Sequence, residues 1–432
     1  MRVNKVTVIG AGLAGSEAAL TLAAAGVEVT LIDCKPERMT PASANTDFCE
    51  LVCSNSLKSN DGATAHGLLK DELRMLGSHV LKAAESCAVP AGSALAVDRA
   101  RFARTVTDEL KRNIPDIRCE TAGGAGDGIT VIATGPLTLP PMDKFVSDNF
   151  GSLHFYDAEA PIVSAESVDM TKAFFAARYG KGDGDDYLNC PLGKEEYDAF
   201  YDALVTAERA NAHECEKSEI FEGCMPVEVM AARGRDALRF GPMRPVGLTD
   251  PMTGKRAYAV VQLRKENAAG DMYNLVGFQT NLKFGEQRRV FGLIPALKNA
   301  EFLRYGVMHR NSYIDAPLSI DGFFRSLKNS KIFIAGQLSG VEGYVESIAS
   351  GKLAAMHALR MLDGKEPLPL PITTIVGALS AYISSPSGDF QPMNANYGLL
   401  PPLEREIRDK RARKEAYRER SLADLKKYTE SL

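Results

Sequence analysis

The chain has 432 residues, of which 45% are hydrophobic and 25% charged, proportions that exclude collagen-like, disordered and disulfide-scaffold classes. Its 51 basic and 55 acidic residues leave a net charge of −4, which excludes a histone-like protein but leaves room for local basic patches that hold nucleic acid. No apolar run reaches the roughly 18 to 20 residues of a membrane helix, so no membrane association is expected.

Residues 1–9 run straight into a buried-strand pattern without the basic, apolar and small-residue order of a secretory signal, and a cytoplasmic location is expected. Eight cysteines with no CxxC pair give neither a disulfide framework nor a zinc site, so no metal is expected. The absence of tryptophan leaves ring stacking to phenylalanine, tyrosine, histidine or arginine.

The β-branched run at residues 6–9 leads into Gly10-Ala11-Gly12-Leu13-Ala14-Gly15 and an alanine-rich stretch at 16–25. This order reads as strand, tight turn and helix, with Gly26 as the stop and a second strand at 27–32 that ends at Asp33. The three glycines have distinct tasks: to make the turn, to admit a pyrophosphate to backbone N–H groups, and to let the helix lie close to the sheet. The phosphate sits on the positive helix end, and Asp33 accepts hydrogen bonds from ribose hydroxyls. Gly10 to Gly15 and Asp33 therefore form a dinucleotide-binding βαβ unit.

Residues 129–133 form a further buried strand, and Pro136, Pro140 and Pro141 punctuate the exit from it. A mixed α and β composition follows to about residue 317, with a loop at 180–186. Residues 331–335 are again a strand, succeeded by Gly336-Gln337, Gly343-Tyr344 and a helical pattern at 345–362. A second glycine-rich turn favours FAD over a nicotinamide as resident cofactor, by analogy of fold. Gly336, Gln337, Gly343 and Tyr344 complete its expected site. The expected fold is α/β: a discontinuous Rossmann-like FAD-binding domain of residues 1–141 plus 318–432, with an inserted α+β domain of residues 142–317. The tail at 403–428 holds ten Lys and Arg against six Asp and Glu and reads as a solvated helix, with nucleic-acid contact the second reading.

Two cysteines stand in unusual contexts. Cys53 precedes the polar run Ser54-Asn55-Ser56, which suits a ligand-facing loop, whereas Cys49 lies among apolar residues and reads as buried. Cys224, between Gly223 and Met225-Pro226, sits on a tight bend where nearby Arg233, Arg235 and Arg239 lower a thiol pKa. Cys34, Cys87, Cys119, Cys190 and Cys215 read as packing or surface thiols. Arg239 and Arg244, set among glycines and prolines, suit phosphate or folate carboxylates.

Along essentially its whole length the chain resembles the folate- and FAD-dependent tRNA uracil-5 methyltransferases. The shared blocks are residues 10–15, 50–57, 94–99, 221–228, 240–243, 274–281, 305–311, 335–337, 340–346 and 396–402. The resemblance implies that FAD carries a methylene from 5,10-methylenetetrahydrofolate to C5 of uridine 54 in the tRNA T loop and supplies the reducing equivalents. NADH or NADPH then recharges it, and no obligatory protein partner is expected. Block by block, Cys224 corresponds to the family's nucleophile, which adds to uracil C6 to make C5 reactive, and Cys53 to the second catalytic cysteine, a general base. Asp33-Cys34-Lys35 departs from the longer acid and stronger phosphate fork of many relatives, and Cys49 stands where relatives carry a small or apolar residue. A Cys49–Cys53 or Cys53–Cys224 disulfide is a corresponding expectation for oxidised material. Two alternatives stand beside this reading: the same chemistry on a ribosomal RNA uridine, and a flavin-containing RNA-binding protein without turnover. Relatives that modify the wobble uridine carry a long additional C-terminal helical region, for which the short basic tail is no match.

Overall fold

The computed structural model describes residues 5–40, 42–180, 184, 186–210, 225–387 and 390–432, without the side chain at 155. Five parallel strands form the first sheet, in the order Ile332–Ile334, Ile129–Ile132, Lys5–Ile9, Glu28–Asp33, Asp116–Cys119. Its central strands bury their apolar residues against the helices that pack on the sheet; Val6, Val8, Val131 and Ile132, and Ile334 on the neighbouring edge strand, have essentially no exposure. The strands expected from sequence at 6–9, 27–32, 129–133 and 331–335 lie here within about a residue of their reading. The edge strand Asp116–Cys119 is half exposed and polar.

The glycine turn delivers the chain into the helix Leu13–Ala24, and Gly26 follows it at φ +79°, a left-handed conformation that ends a helix without strain only for glycine. Against this helix packs Tyr344–Leu362. Their approach is so close that a Cβ at Gly351 would stand 2.1 Å from the Ala14 carbonyl oxygen. Beside them Lys352 is buried against Thr21 Oγ1 (3.2 Å), the Gly77 carbonyl (3.1 Å) and Glu17 (3.8 Å).

A second sheet of six antiparallel strands runs Phe174–Phe175, Tyr187–Leu192, Ala259–Lys265, Met272–Leu275, Ile162–Ser164, Phe302–Arg304. It has its own apolar core, which includes Leu188, Tyr197, Phe200, Val261, Leu263, Phe278 and Phe291. The core of the first sheet draws instead on residues before 151 and after 312. The chain leaves the first core along Leu153–Ala158 and returns along Met308–Tyr313, and these two strands pair antiparallel, Ala158 opposite Met308. The basic tail forms the helix Lys410–Glu430, with the Asp409 side chain accepting from Ala412 N (2.7 Å) at its start.

Glu72 fastens that helix to the body. Fully buried, it accepts from Ile375 N (2.8 Å), Val376 N (2.9 Å) and the Ser421 hydroxyl. Burial pushes its carboxyl up to about 7. No helix among the described residues is long and apolar enough to cross a membrane.

Candidate dinucleotide cleft and active site

The glycines of the first turn divide their work by geometry. Gly10 has φ +98°, and a Cβ there would lie 2.4 Å from the Ala133 carbonyl oxygen. At Gly15 it would lie 1.7 Å from the oxygen of Gly10. These two positions are closed by protein backbone. Gly12, which caps the helix, has no heavy atom within 4 Å of its would-be Cβ. The open space therefore lies at the helix N-terminus, where unpaired N–H groups and the helix dipole favour an anion.

That space belongs to a cleft of about 1230 Å³ lined by Gly10, Ala11, Gly12, Leu13, Ala14, Asp33, Gly336, Gln337 and Tyr344, with Glu120, Thr134 and Gly135 among the others. The structure thus brings together the expected cofactor residues except two. Gly15 packs behind the turn, and Gly343, at φ +119°, begins the helix of Tyr344 with Glu346 against it. Asp33 accepts from Ala11 N (2.6 Å) and Lys35 N (2.9 Å), each oxygen keeping lone pairs for further donors. Its neighbour Lys35 is buried and bound to Glu50 (2.6 Å) and the Asp47 carbonyl (3.1 Å), so its ammonium is held by protein groups. An elongated cleft between two helix N-termini, with a bare glycine at one and an acid at the end of the second strand, fits FAD.

Cys53 lies at the edge of this cleft, which its neighbour Val52 and its hydrogen-bond partner Tyr344 line. The Tyr344 hydroxyl accepts from Cys53 N (2.8 Å) and Ser54 N (3.0 Å), and burial raises its pKa, with the Cys53 charge adding to the effect. Arg99 Nη1 donates to the carbonyls of Leu51 (3.0 Å) and Val52 (3.3 Å) and its guanidinium pairs with Glu266. From the second sheet, buried Arg264 donates to Asn55 Oδ1 (2.8 Å) and Ser54 Oγ (3.2 Å). Asn55 in turn donates to the carbonyls of Val97 (3.1 Å) and Lys265 (2.9 Å). Both cores therefore hold one short loop.

Cys49 is buried with a positive φ, and burial raises its thiol pKa. Cys49 and Cys53 are free thiols. Cys34, read as a packing or surface thiol, also lines the cleft. Cys224 lies outside the described residues, as do Cys215 and part of the loop at 180–186. Arg239 is engaged away from the cleft: it lies 3.7 Å over the Tyr258 ring and pairs with Asp236 (2.6 Å). His309 faces Glu159 (3.1 Å), which also binds Arg304 (2.6 Å).

An acid–base cluster behind Gly336 and Gly343 went unread in the sequence. Glu342 is 7% exposed and accepts from the Gln337 amide. Burial first, then the Asp157 charge, pushes its carboxyl up to about 8. Glu346 accepts from Ala395 N (2.9 Å) and stands 3.4 Å from His66. Burial pushes His66 down to about 4 and Lys70 down to about 8. Among the described residues no group of three or more His, Cys, Asp or Glu could hold a metal ion.

The family model described as Glucose inhibited division protein A matches residues 5–123 and 123–366. A methylenetetrahydrofolate–tRNA-(uracil-5-)-methyltransferase TrmFO of Lactiplantibacillus plantarum is 52% identical over 428 residues, 98% of this chain and 97% of that one. Proteins of the same name from Acetivibrio thermocellus and Moorella thermoacetica are 52% and 55% identical, covering 99% and 94% of this chain and of their own. Aquifex aeolicus GidA in its form II crystal matches with a TM-score of 0.69 at 16% identity, over 100% of this chain and 77% of that one, a likeness of fold. The chain belongs to the glucose-inhibited division protein A family and, within it, to the methylenetetrahydrofolate–tRNA-(uracil-5-)-methyltransferases.

Proposed function

We propose that this enzyme transfers the methylene of 5,10-methylenetetrahydrofolate to C5 of uridine 54 in the T loop of tRNA and reduces it to a methyl group, with NADH or NADPH as the source of electrons. Bound in the cleft, FAD would supply the carbon-carrying and reducing chemistry. Gly10 to Leu13 would hold its pyrophosphate on the helix N-terminus and Asp33 its ribose, with Gly336, Gln337 and Tyr344 along the cleft. Support comes from relatives at 51–55% identity whose names state folate-dependent methylation of tRNA uracil at C5.

The observation that carries the chemical part of the reading is the loop of Cys53, clamped by Arg99, Arg264 and Tyr344 at the cleft. A thiol used to remove a proton from C5 must be held at a fixed position against the base. Tyr344 and Arg264 are positioning residues for it. Cys224 is assigned the attack on uracil C6: the C–S bond forms as the C5=C6 pair shifts towards the carbonyl, which makes C5 a nucleophile. Once C5 has formed its bond to the folate-derived methylene, loss of the C5 proton to Cys53 lets the C–S bond break, and uptake of one hydride by the resulting exocyclic methylene gives the methyl group. The target base must leave its stack to reach these groups, at a cost of a few kcal/mol. We place the enzyme in the cytoplasm and assign it no obligatory protein partner.

The test is incubation with methylenetetrahydrofolate, NADH or NADPH and unmodified tRNA, followed by nucleoside analysis and mapping. Methyluridine at position 54 is expected, and a Cys224→Ala variant should make none. Methylation of ribosomal RNA alone favours the same chemistry on that substrate. A flavin-loaded protein that binds RNA and leaves both RNAs unchanged overturns the enzymatic reading.

A further inference from the structure

Away from the cleft, the second core extends into a row of stacked rings that ends in solvent. Phe291, fully buried, stacks with Phe302 at 6.5 Å and 27°. Phe302 stacks with Tyr305 at 5.3 Å and 3°, and Tyr305 with Phe284 at 4.7 Å and 15°. Phe284 is 54% exposed. Its inner face is covered by Tyr305, so the row is anchored at one end and open at the other.

The surroundings of Phe284 are charged. It opens the helix Phe284–Phe291, and Arg288, one turn on, is exposed on the same side of that helix. Arg288 Nη2 donates to the Tyr305 hydroxyl (2.9 Å), and among the described residues it has no carboxylate partner. Neighbouring cations are neutralised, Lys283 by Glu208 (2.6 Å) and Arg289 by Glu286 (2.6 Å). An exposed ring and an unpaired guanidinium therefore converge on one tyrosine. At Gly285 the space beyond the backbone is open.

Position in the chain ties this pair to the reaction. Val227 N donates to the Gln279 carbonyl (2.7 Å), Ala210 N to that of Asn281 (2.7 Å) and Lys283 N to that of Glu208 (3.0 Å). Residues 279–283, immediately before Phe284, thus hold the chain on both sides of the stretch that bears Cys224. On the other flank Arg304, next to Tyr305, reaches Glu159 (2.6 Å) and the carbonyl of Ala42 (3.3 Å), one residue from Ser43 in the cleft wall.

We infer that the outer face of Phe284 is a stacking platform for an unpaired nucleobase of the RNA substrate, with Arg288 binding an adjoining phosphate. The inference rests on the proposed reading of RNA as substrate and deepens it by naming the surface. Extruding one base from a loop unstacks its neighbours, and unstacked RNA bases are held on aromatic rings and beside arginines. In a chain without tryptophan, an exposed phenylalanine on a pre-stacked column is suited to that task because its inner face needs no reordering. Charge complementarity favours RNA over an apolar protein surface, since among the described residues the charge beside the ring without an ion-pair partner, Arg288, is positive.

The test compares wild-type enzyme with Phe284→Ala, Phe284→Tyr and Arg288→Gln in steady-state methylation of a T-arm RNA. Loss of one base–ring stack predicts a KM for RNA raised about 10-fold in Phe284→Ala, with kcat within about twofold, and recovery in Phe284→Tyr. For Arg288→Gln, KM should rise and the slope of log KM against log salt should fall by about 1. Flavin content, RNA-independent NADH oxidation and melting temperature should stay at wild-type values, which a merely structural role for Phe284 would not allow. A Phe284→Ala enzyme with unchanged KM, or with lowered kcat and no recovery in Phe284→Tyr, overturns the inference while wild-type activity stands. A wild-type enzyme that methylates no RNA overturns the proposed function instead, and the inference with it.

Discussion

Gly12 and Gly15 lie three residues apart in one turn, yet alanine should act on them in opposite ways. At Gly12 the backbone is extended with φ −73°, which any residue adopts, and an added methyl meets no heavy atom within 4 Å. The unliganded protein should therefore lose only the difference between glycine and alanine at a helix N-cap, about 1 kcal/mol or less. Bound FAD would meet that methyl where its pyrophosphate approaches the helix end. Loss of one charge-assisted hydrogen bond, about 1.5–3 kcal/mol, weakens binding about 10- to 150-fold. At Gly15 the methyl would stand 1.7 Å from the Gly10 carbonyl oxygen, and the turn must move; overpacking of this kind costs about 1–3 kcal/mol before any ligand is considered. The assay is urea denaturation of the two flavin-free variants, followed by FAD titration monitored through flavin fluorescence. Gly12→Ala should fold like wild type and bind FAD poorly, whereas Gly15→Ala should be destabilised without ligand. Wild-type FAD affinity in Gly12→Ala would refute the placement of the pyrophosphate.

Tyr344→Phe removes the acceptor of two N–H groups, those of Cys53 and Ser54; at about 1–3 kcal/mol for an unmade buried hydrogen bond, kcat for methylation should fall about 10-fold or more, and a value within twofold of wild type would remove Tyr344 from the positioning of Cys53. Glu342, pushed up to about 8 by burial and by Asp157, keeps its proton when folded across a window in which an unfolded glutamate, near 4.3, releases it. Its contribution to stability is therefore greatest below about pH 4.3 and is lost as pH rises towards 8. Glu342→Gln should gain stability relative to wild type between pH 5 and 8 in urea melts, and parallel pH profiles would contradict the assignment. Glu72→Ala strands Ile375 N, Val376 N and the Ser421 hydroxyl; a loss on the order of 3 kcal/mol is expected, together with faster proteolysis of the helix Lys410–Glu430, and a loss below about 1 kcal/mol would show that the acid does not fasten it.

The dinucleotide unit was legible because its signals are local. A strand buried on both faces reads as an unbroken apolar run, and a glycine pressed against backbone tolerates no other residue, so residues 6–15 and 332–334 announced themselves. The edge strand Asp116–Cys119 was not: it is half exposed, and its alternation Asp-Ile-Arg-Cys spans only four residues, too few to stand out from a loop. The helix Arg99–Asn113 carried a readable signal that went unused, the cap Asp98 followed by Phe102, Ala103, Val106 and Leu110 on one face.

For the loop of Cys53 the limit was different. Cys53 was picked out by its polar neighbours, but its setting is built by Arg99, Arg264 and Tyr344, residues brought together only by the tertiary fold. Arg264 did leave a trace, since it interrupts the apolar strand Ala259–Lys265, where a fully buried cation requires partners. Glu342 and Glu346 belonged to a recognisable block, yet nothing in that block says that the fold would bury both carboxyls, Glu342 near Asp157 and Glu346 beside His66 and Lys70.

The central claim, that the carbon added to uracil comes from folate and is reduced at this cleft, is tested most directly by isotope. The enzyme is supplied with 5,10-methylenetetrahydrofolate deuterated at the methylene, unlabelled NADH or NADPH and unmodified tRNA, and the digested nucleosides are weighed by mass spectrometry. A 5-methyluridine whose methyl carries both folate deuterons and one further hydrogen is the expected product. A methyl without deuterium, or methylation that proceeds when the folate is omitted, would contradict the account.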